Sequence, residues 1–372
     1  MTLLYEGARE FNLKLWLVLV DFEKAFDSVE HPSLWTALAQ YDIPGSYIAL
    51  LQSLYAAQIA KVFTDVESRS FPIARGVKQG DPTSALLFIA VLDTIMGTLK
   101  KRWLYLNQRR KGVGYGIVVD DPSDPLTNLR FADDLLLVAQ SRADAVKMLD
   151  ALRVEAKKYG LNVHMGKTKL LTNCEERLRC VRVGGDDINI LAEGESEKYL
   201  GRKLTLHNYH EAELNHRISN AWAGFNQFRK ELCCRKFDIK LRLWLFESIV
   251  TSRALYGCAA WTLTAEMNKA LQSTQRRMLR LVISPSSHRN GRECTLEAWV
   301  QWIRSTTHQV EEIMRKLKIR SWVQQAHDRK VGFATVTYLR DDARWSKRLL
   351  SWMPIGCRRI GRPCRRWYDD AR

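Results

Sequence analysis

The clearest early pattern is the apolar run Leu13–Val20, which stops at Asp21. A run this short, without alternation, predicts a strand buried on both faces. Helical spacing follows over Leu34–Gln40 and Tyr47–Ala57, with Pro44-Gly45 as the break between them. Lys61–Thr64 predicts a short strand and Gly76–Gly80 a loop. Asp81-Pro82 then opens a helix, an acid suited to the cap followed by a proline suited to the first turn. The apolar stretch Ala85–Leu99 carries that helix on. Periodicity fades over 105–128, which reads as a loop with one strand near Gly116–Val119. Asn128–Phe131 and Leu135–Ala139 predict a β-hairpin. Ser141 caps a helix over Ala143–Tyr159, and Gly160 stops it. Val181–Val183 and Tyr199–Leu204 predict two further short strands. From Glu211 onward the pattern is helical, with long amphipathic stretches at Glu211–Leu232, Ile239–Ala254 and Ala265–Leu281. Beyond Ser346 the chain is rich in Arg, Gly and Pro, a composition that predicts poor order. The expected class is α+β, strands and helices mixed at first and helices alone after. No internal repeat is visible.

Composition adds size and compartment. The 372 residues are 46% hydrophobic and 27% charged, which suits a globular protein able to bury a real core. No apolar run reads as long enough to cross a bilayer, so no membrane partner is expected. The first residues lack the order of a secretory signal. Eight cysteines contain no C-x-x-C pair and no histidines at zinc-finger spacing. They read as reduced thiols of an intracellular protein, in the nucleus or cytoplasm.

Charge changes the picture more. The net charge of +17 is not evenly spread: residues 1–201 carry 25 basic and 26 acidic side chains, residues 202–372 carry 33 and 15. A near-neutral front joined to a strongly basic back fits a polyanion partner. Trp222, Trp244, Trp261, Trp299, Trp302, Trp345 and Trp367 are interleaved with the basic residues. They favour nucleic acid over a merely soluble surface.

Three acids stand where ordinary turn chemistry does not fully account for them. Asp21 ends a buried strand, and Asp133 and Asp134 sit at the tip of an apolar hairpin. Ionised carboxylates in such surroundings need partners. Three carboxylates converging from two neighbouring strands would hold one or two hard divalent ions, the apparatus of nucleotidyl transfer. The loop Gly76-Val77-Lys78-Gln79-Gly80 adds glycines for close approach, an amide at Gln79 and positive charge at Arg75 and Lys78. A nucleoside triphosphate could use all of these; alone, the loop would read as a helix entry with solvated cations.

These segments resemble a family. Leu19-Val20-Asp21-Phe22-Glu23-Lys24-Ala25-Phe26-Asp27 looks like the first catalytic motif of reverse transcriptases from non-LTR, LINE-type retrotransposons. Arg75-Gly76-Val77-Lys78-Gln79-Gly80-Asp81-Pro82 with Leu86-Leu87-Phe88 resembles the second, and Phe131-Ala132-Asp133-Asp134 the signature acid box. Gly160-Leu161 with Lys167-Thr168, and then Tyr199-Leu200-Gly201, are similar to the next motif and to the primer grip. The five come in the family's order over about half the chain. The ending Gly361-Arg362-Pro363, Arg365-Arg366-Trp367 and Asp369-Asp370 is a weaker likeness.

The resemblance implies a polymerase palm, an antiparallel sheet backed by helices, then an all-α basic thumb and a poorly ordered basic tail. Its boundaries would fall at 1–172 for the palm, 173–204 for the primer-grip strands, 205–283 for the thumb and 284–372 for the rest. Asp21 and Asp133 would be metal ligands, Asp134 the second acid, and the Phe22 carbonyl a further donor to two Mg²⁺ or Mn²⁺ ions. Phe26 would gate against a ribose 2′-OH, though a plain core aromatic fits the same position. Lys78, Gln79 and Gly80 would contact the incoming deoxynucleotide, Lys167 the pyrophosphate, and Tyr199, Leu200 and Gly201 the primer. The expected partners are an RNA template, a DNA primer and deoxynucleoside triphosphates. His164 and Ala85 depart from the family's usual Asn and Pro, at positions expected to lie away from the metals. Only 20 residues precede Asp21, so a fingers region is expected to be missing. The alternatives are an inactive remnant that only binds nucleic acid, a viral RNA polymerase and an intron maturase. The last two fit the acid box less well.

Overall fold

The apolar run becomes the strand Trp16–Val20 in the computed structural model, which describes residues 1–109, 114–207, 209–284, 296–354, 356–361 and 363–370. All five of its residues are buried, because a strand lies on each edge and both faces are covered. The run starts at Trp16 rather than Leu13 for a local reason. The Asn173 side chain accepts from Leu15 N at 2.8 Å and donates to Leu13 O at 2.8 Å, so it takes the place of a ladder partner there.

The chain forms two units, and they are described separately. One comprises Phe11–Leu200 and Trp352–Cys357. Its centre is a six-stranded sheet in the order Asn128–Phe131, Asp134–Ala139, Trp16–Val20, Lys169–Thr172, Asp186–Ile190, Cys180–Val183. Every pairing is antiparallel except Lys169–Thr172 with Asp186–Ile190. The helix Arg142–Lys157 packs on the sheet, capped by Ser141, whose side chain accepts from Asp144 N. The helix Pro82–Arg109 packs against it and against His31–Gln40. Val18, Val20, Leu135 and Leu137 meet Phe88, Val91, Leu92, Leu149 and Leu152 in one core.

Several expectations change here. Pro82–Arg109 runs to 28 residues and is, by length and composition, apolar enough to cross a membrane. Leu87, Phe88, Val91, Leu92, Ile95, Leu99 and Trp103 are instead buried in the core, so the helix serves as its centre. It also takes in 105–109 of the segment expected as a loop, while 110–113 lie outside the described residues. Gly116–Val119 makes only an isolated bridge, Ile117 to Leu126. The strand expected at Lys61–Thr64 moves to Ile59–Ala60 paired with Phe71–Pro72, because the Ser68 side chain takes Val62 N. The expected helix Tyr47–Ala57 forms as Gly45–Ala56, yet only Tyr55 of it is buried. Lys169–Thr172 and Asp186–Ile190 were not expected as strands. Asp186–Ile190 forms a hairpin with Cys180–Val183 across Gly184-Gly185, both at positive φ, a readable hairpin signal.

The second unit comprises Met1–Glu10, Gly201–Ser351 and Arg358–Arg372. Its helices are Tyr209–Gln227, Arg229–Leu232, Ile239–Leu245, Ala265–Ile283, Leu296–Lys316 and Trp322–Leu339. Ile239–Leu245 runs on through one wide π turn, Phe246–Thr251, into Ser252–Ala254. Trp322 anchors the core: it stacks on Phe246 and donates through Nε1 to Thr251 Oγ1 at 2.8 Å. The N-terminal helix Thr2–Glu10 joins this unit through Thr2 Oγ1, which donates to Ala260 O at 2.7 Å.

The tail corrects the expectation of poor order. Trp345–Leu350 is helical, and Trp367–Asp370 forms a 3₁₀ turn. Trp367 is 2% exposed and donates to Ala259 O, and Asp370 pairs with the fully buried Lys330 at 2.7 Å. Composition missed this because the few buried residues sit among many exposed arginines. Arg362 and Cys294 lie outside the described residues, and the seven described cysteines are free thiols.

Candidate active site

Strand register brings the acids together. Val20 pairs with Leu135, so Asp21 stands one rung further on, opposite Asp134. Phe131 pairs with Asp134 across the hairpin turn, which leaves Ala132 and Asp133 at the tip. Ala132 adopts φ 53, a left-handed conformation that costs an alanine roughly 1–2 kcal/mol. Partial burial raises the Asp134 pKa, and the charges of Asp133 and Asp21 raise it further. Burial and the Asp134 charge likewise push the Tyr199 phenol up. Three carboxylates and the Tyr199 ring therefore share one electrostatic neighbourhood.

Asp21 is held mainly through its backbone. His164 N donates to Asp21 O at 2.7 Å, and Asp21 N donates to Thr168 Oγ1 at 3.4 Å. Phe22 is buried and bridges Val163, and Glu23 N donates to Asn162 O at 2.8 Å. The segment 162–168 thus braces the acid. Lys167 Nζ stands 3.7 Å from Asp21 Oδ2, a long pair between half-exposed side chains and worth at most about 1 kcal/mol. Asp21 Oδ2 is itself enclosed and has no hydrogen-bond donor, although the side chain as a whole is 46% exposed. An enclosed carboxylate oxygen without a donor, beside two more acids, suits a hard divalent cation. Among the described residues, no three His, Cys, Asp or Glu side chains close up into a ready metal centre. The donors these residues offer are carboxylates, which leaves positions for water or substrate.

The glycine loop docks on the residues that follow Asp21. Gly76 N donates to Val29 O and Val77 N to Phe26 O, both at 2.7 Å. A Cβ at Gly76, which has φ 88, would lie 2.8 Å from Asp27 O, so only glycine fits. Gln79 Nε2 donates to Asp27 Oδ1 at 3.1 Å. Arg75, Lys78, Gln79 and Asp27 line a groove of about 640 Å³ beside Ile59 and Ile73. Gly80, at φ 89, has open space around it. Phe26 is half-buried, one face stacked on Phe88 with centroids 4.9 Å apart.

Sequence reasoning missed three contributors. His164, expected to lie away from the metals, touches Asp21 through its backbone. Thr168 is fully buried and donates to His164 O. Asp27 holds Gln79. The hydroxyl of Thr168 next to the candidate Lys167 was the one available signal. Leu200, at φ 49, closes the sheet unit, whereas Gly201 falls in the helical unit, where Arg217 donates to its carbonyl.

Comparison with known proteins decides the family. A family model described as reverse transcriptase (RNA-dependent DNA polymerase) matches residues 5–212. The chain belongs to that family. This reverse transcriptase is 31% identical over 253 residues to an uncharacterized transposon-derived protein of Caenorhabditis elegans, covering 66% of this chain and 84% of that protein. It is 30% identical over 199 residues to the Pol polyprotein of the type-1 retrotransposable element R2 of Nasonia vitripennis. That match covers 50% of this chain but 18% of the polyprotein, so the chain spans a minor part of such relatives. Its kin are thus non-LTR retrotransposon proteins. An apo telomerase of Candida tropicalis is similar at TM-score 0.43 and 11% identity, over 90% of this chain and 50% of that one. That likeness is too loose to add to the reverse transcriptase assignment.

Proposed function

We propose that this chain extends a DNA primer on an RNA template from deoxynucleoside triphosphates. The observation that carries the reading is the pairing of Val20 with Leu135, which sets Asp21 beside the Asp133-Asp134 tip. In this reading the primer 3′-oxygen bonds to the α-phosphorus, the α–β oxygen bond breaks, and pyrophosphate leaves. Divalent cations, Mg²⁺ or Mn²⁺, held by Asp21, Asp133 and the Phe22 carbonyl with Asp134 beside them, would supply activation of the hydroxyl and neutralisation of the leaving group.

The chain's own residues supply placement. Gln79, steadied by Asp27, and Lys78 and Gly80 receive the nucleotide in the groove on the glycine loop. Phe26, fixed by its stack on Phe88, crowds a 2′-OH. Lys167, close to Asp21, offers positive charge and a proton to the departing pyrophosphate. Tyr199, Leu200 and Gly201 hold the primer end, and the basic helices after residue 201 hold template and primer by their phosphates. Alignment and electrostatics would then supply most of the rate. The protein works inside the cell, in nucleus or cytoplasm, where thiols stay reduced.

A second reading is a chain that binds nucleic acid without incorporation. One observation favours it: the described acids do not close into a ready metal centre. Primer extension with Mg²⁺ or Mn²⁺ separates the two. Incorporation by the wild type should fall at least about 10²–10³-fold in an Asp133→Asn, Asp134→Asn variant. Binding without incorporation in either protein would favour the second reading.

A further inference from the structure

The helical unit holds a cavity of about 190 Å³ far richer in arginine than its size requires. Arg9, Arg358, Arg359, Arg365 and Arg366 line it, with Tyr5, Glu6, Glu10 and His210. Tyr5 and Glu10 are more than nine-tenths buried, so the walls are built rather than casual. Glu10 is committed to two arginines: Arg358 Nε at 2.5 Å, and Arg366. Arg359 N donates to Glu10 O at 2.9 Å, which fixes the chain there. Arg365 is turned to Asp370 at 2.5 Å. Glu6 accepts from Thr262 and from Trp367 N. Among the described residues Arg9 and Arg359 pair with no carboxylate. With Arg358 and Arg366 on Glu10 and Arg365 on Asp370, Arg9 and Arg359 remain as positive charge without a carboxylate.

Burial, then Arg9, Arg202 and Lys330, lower the His210 pKa to about 4, so at neutral pH its imidazole is uncharged and can still donate one N–H. The occupant that matches is small, because sites for drug-sized ligands run to roughly 300–1,000 Å³. It should carry more than one negative charge and accept in several directions, which the forked guanidinium group matches in a phosphate. A phosphate monoester carries about −1.5 to −2 at neutral pH. An internal phosphodiester carries one charge and needs the strand to leave on both sides.

We propose that this cavity binds a phosphate group, either the terminal phosphate of a single-stranded nucleic acid or free inorganic phosphate or pyrophosphate. The site shares no residue with the carboxylate cluster and does not depend on nucleotidyl transfer there. Arg9 and Arg359 are its primary ligands, while Arg358 and Arg366, oriented by Glu10, form the wall.

The test uses the full chain and short single strands that differ only in a 5′-phosphate or 5′-hydroxyl, followed by fluorescence anisotropy at physiological salt. The phosphorylated strand should bind about tenfold more tightly, the scale of a charge-assisted hydrogen bond. In an Arg9→Ala, Arg359→Ala variant that preference should vanish, with Arg359→Gln alone as a milder second variant. Both side chains are exposed, so the ligand-free melting temperature should hold. If instead inorganic phosphate or pyrophosphate raises the melting temperature of the wild type but not of the variant, the source is the free anion. A preference that persists in both variants places the phosphate elsewhere and overturns the proposal. So does equal binding of the two strands together with no variant-dependent thermal shift. An Asp133→Asn, Asp134→Asn variant should keep the preference, so failure of the polymerase reading is scored separately.

Discussion

Asp134 sits in a conflict that its neighbours create. Burial and the charges of Asp133 and Asp21 hold its pKa above the ordinary value. An acid whose folded pKa lies above its unfolded one loses the fold stability as pH rises through that interval. The loss is complete above the folded pKa and absent below the unfolded value of about 3.9. Asp134→Asn should therefore raise the melting temperature of the metal-free protein at pH 7 by about 1–2 °C, and leave it unchanged near pH 3. Scanning calorimetry at both pH values, with chelator present, checks this. Phe26 carries a different trade. Phe26→Val keeps the core position but removes the ring, so ribonucleotide use relative to deoxynucleotide should rise about 10–200-fold in primer extension. Loss of the stack on Phe88 should cost about 0.5–1.5 kcal/mol beyond the lost burial.

At the scale of elements, two short segments do more than their length suggests. The helix Thr2–Glu10 and the turn Trp367–Asp370 are bound to each other and to one core: Trp367 N donates to Glu6 Oε2 at 2.8 Å. Lys330 Nζ donates to Trp261 O and Asp370 Oδ2, at 2.8 and 2.7 Å, and Leu263 N also donates to Asp370 Oδ2. Removing one partner of a buried pair strands the other charge. Asp370→Ala should therefore destabilise the helical unit by about 3–5 kcal/mol, read as a lowered midpoint in urea at unchanged slope. The glycine loop is bound in the same close manner, since Gly76 rests on the backbone of Asp27. That contact couples the groove lined by Lys78 and Gln79 to the motif that carries Asp21.

For the whole molecule, charge separates the labour. The second unit carries the basic surplus, while the sheet unit carries Asp21, Asp133 and Asp134. Binding by phosphate contacts releases counterions, so affinity for nucleic acid should fall about 10³–10⁵-fold between 50 and 200 mM salt if 6–10 phosphates are engaged. A filter-binding or anisotropy titration across salt measures the slope. The Asp133→Asn, Asp134→Asn variant should show the same slope, because it changes no residue of the basic helices.

The sequence by itself determined what depends on local order. Apolar runs marked Trp16–Val20 and the 128–139 hairpin, Ser141 and Gly160 bounded their helix, and the ordered motifs named the three acids. Each of these signals lies within a few residues of the structure it specifies. Only the tertiary structure decided the rest, because it depends on partners distant in the chain. Strand register set Asp21 opposite Asp134, and the segment 162–168 braced it. The strand Lys169–Thr172 exists as an element because Trp16–Val20 offers it an edge. A tail that composition marks as loose is held because Lys330, forty residues earlier, needs Asp370. Burial and long-range pairing are properties of the folded chain, and no window of sequence contains them.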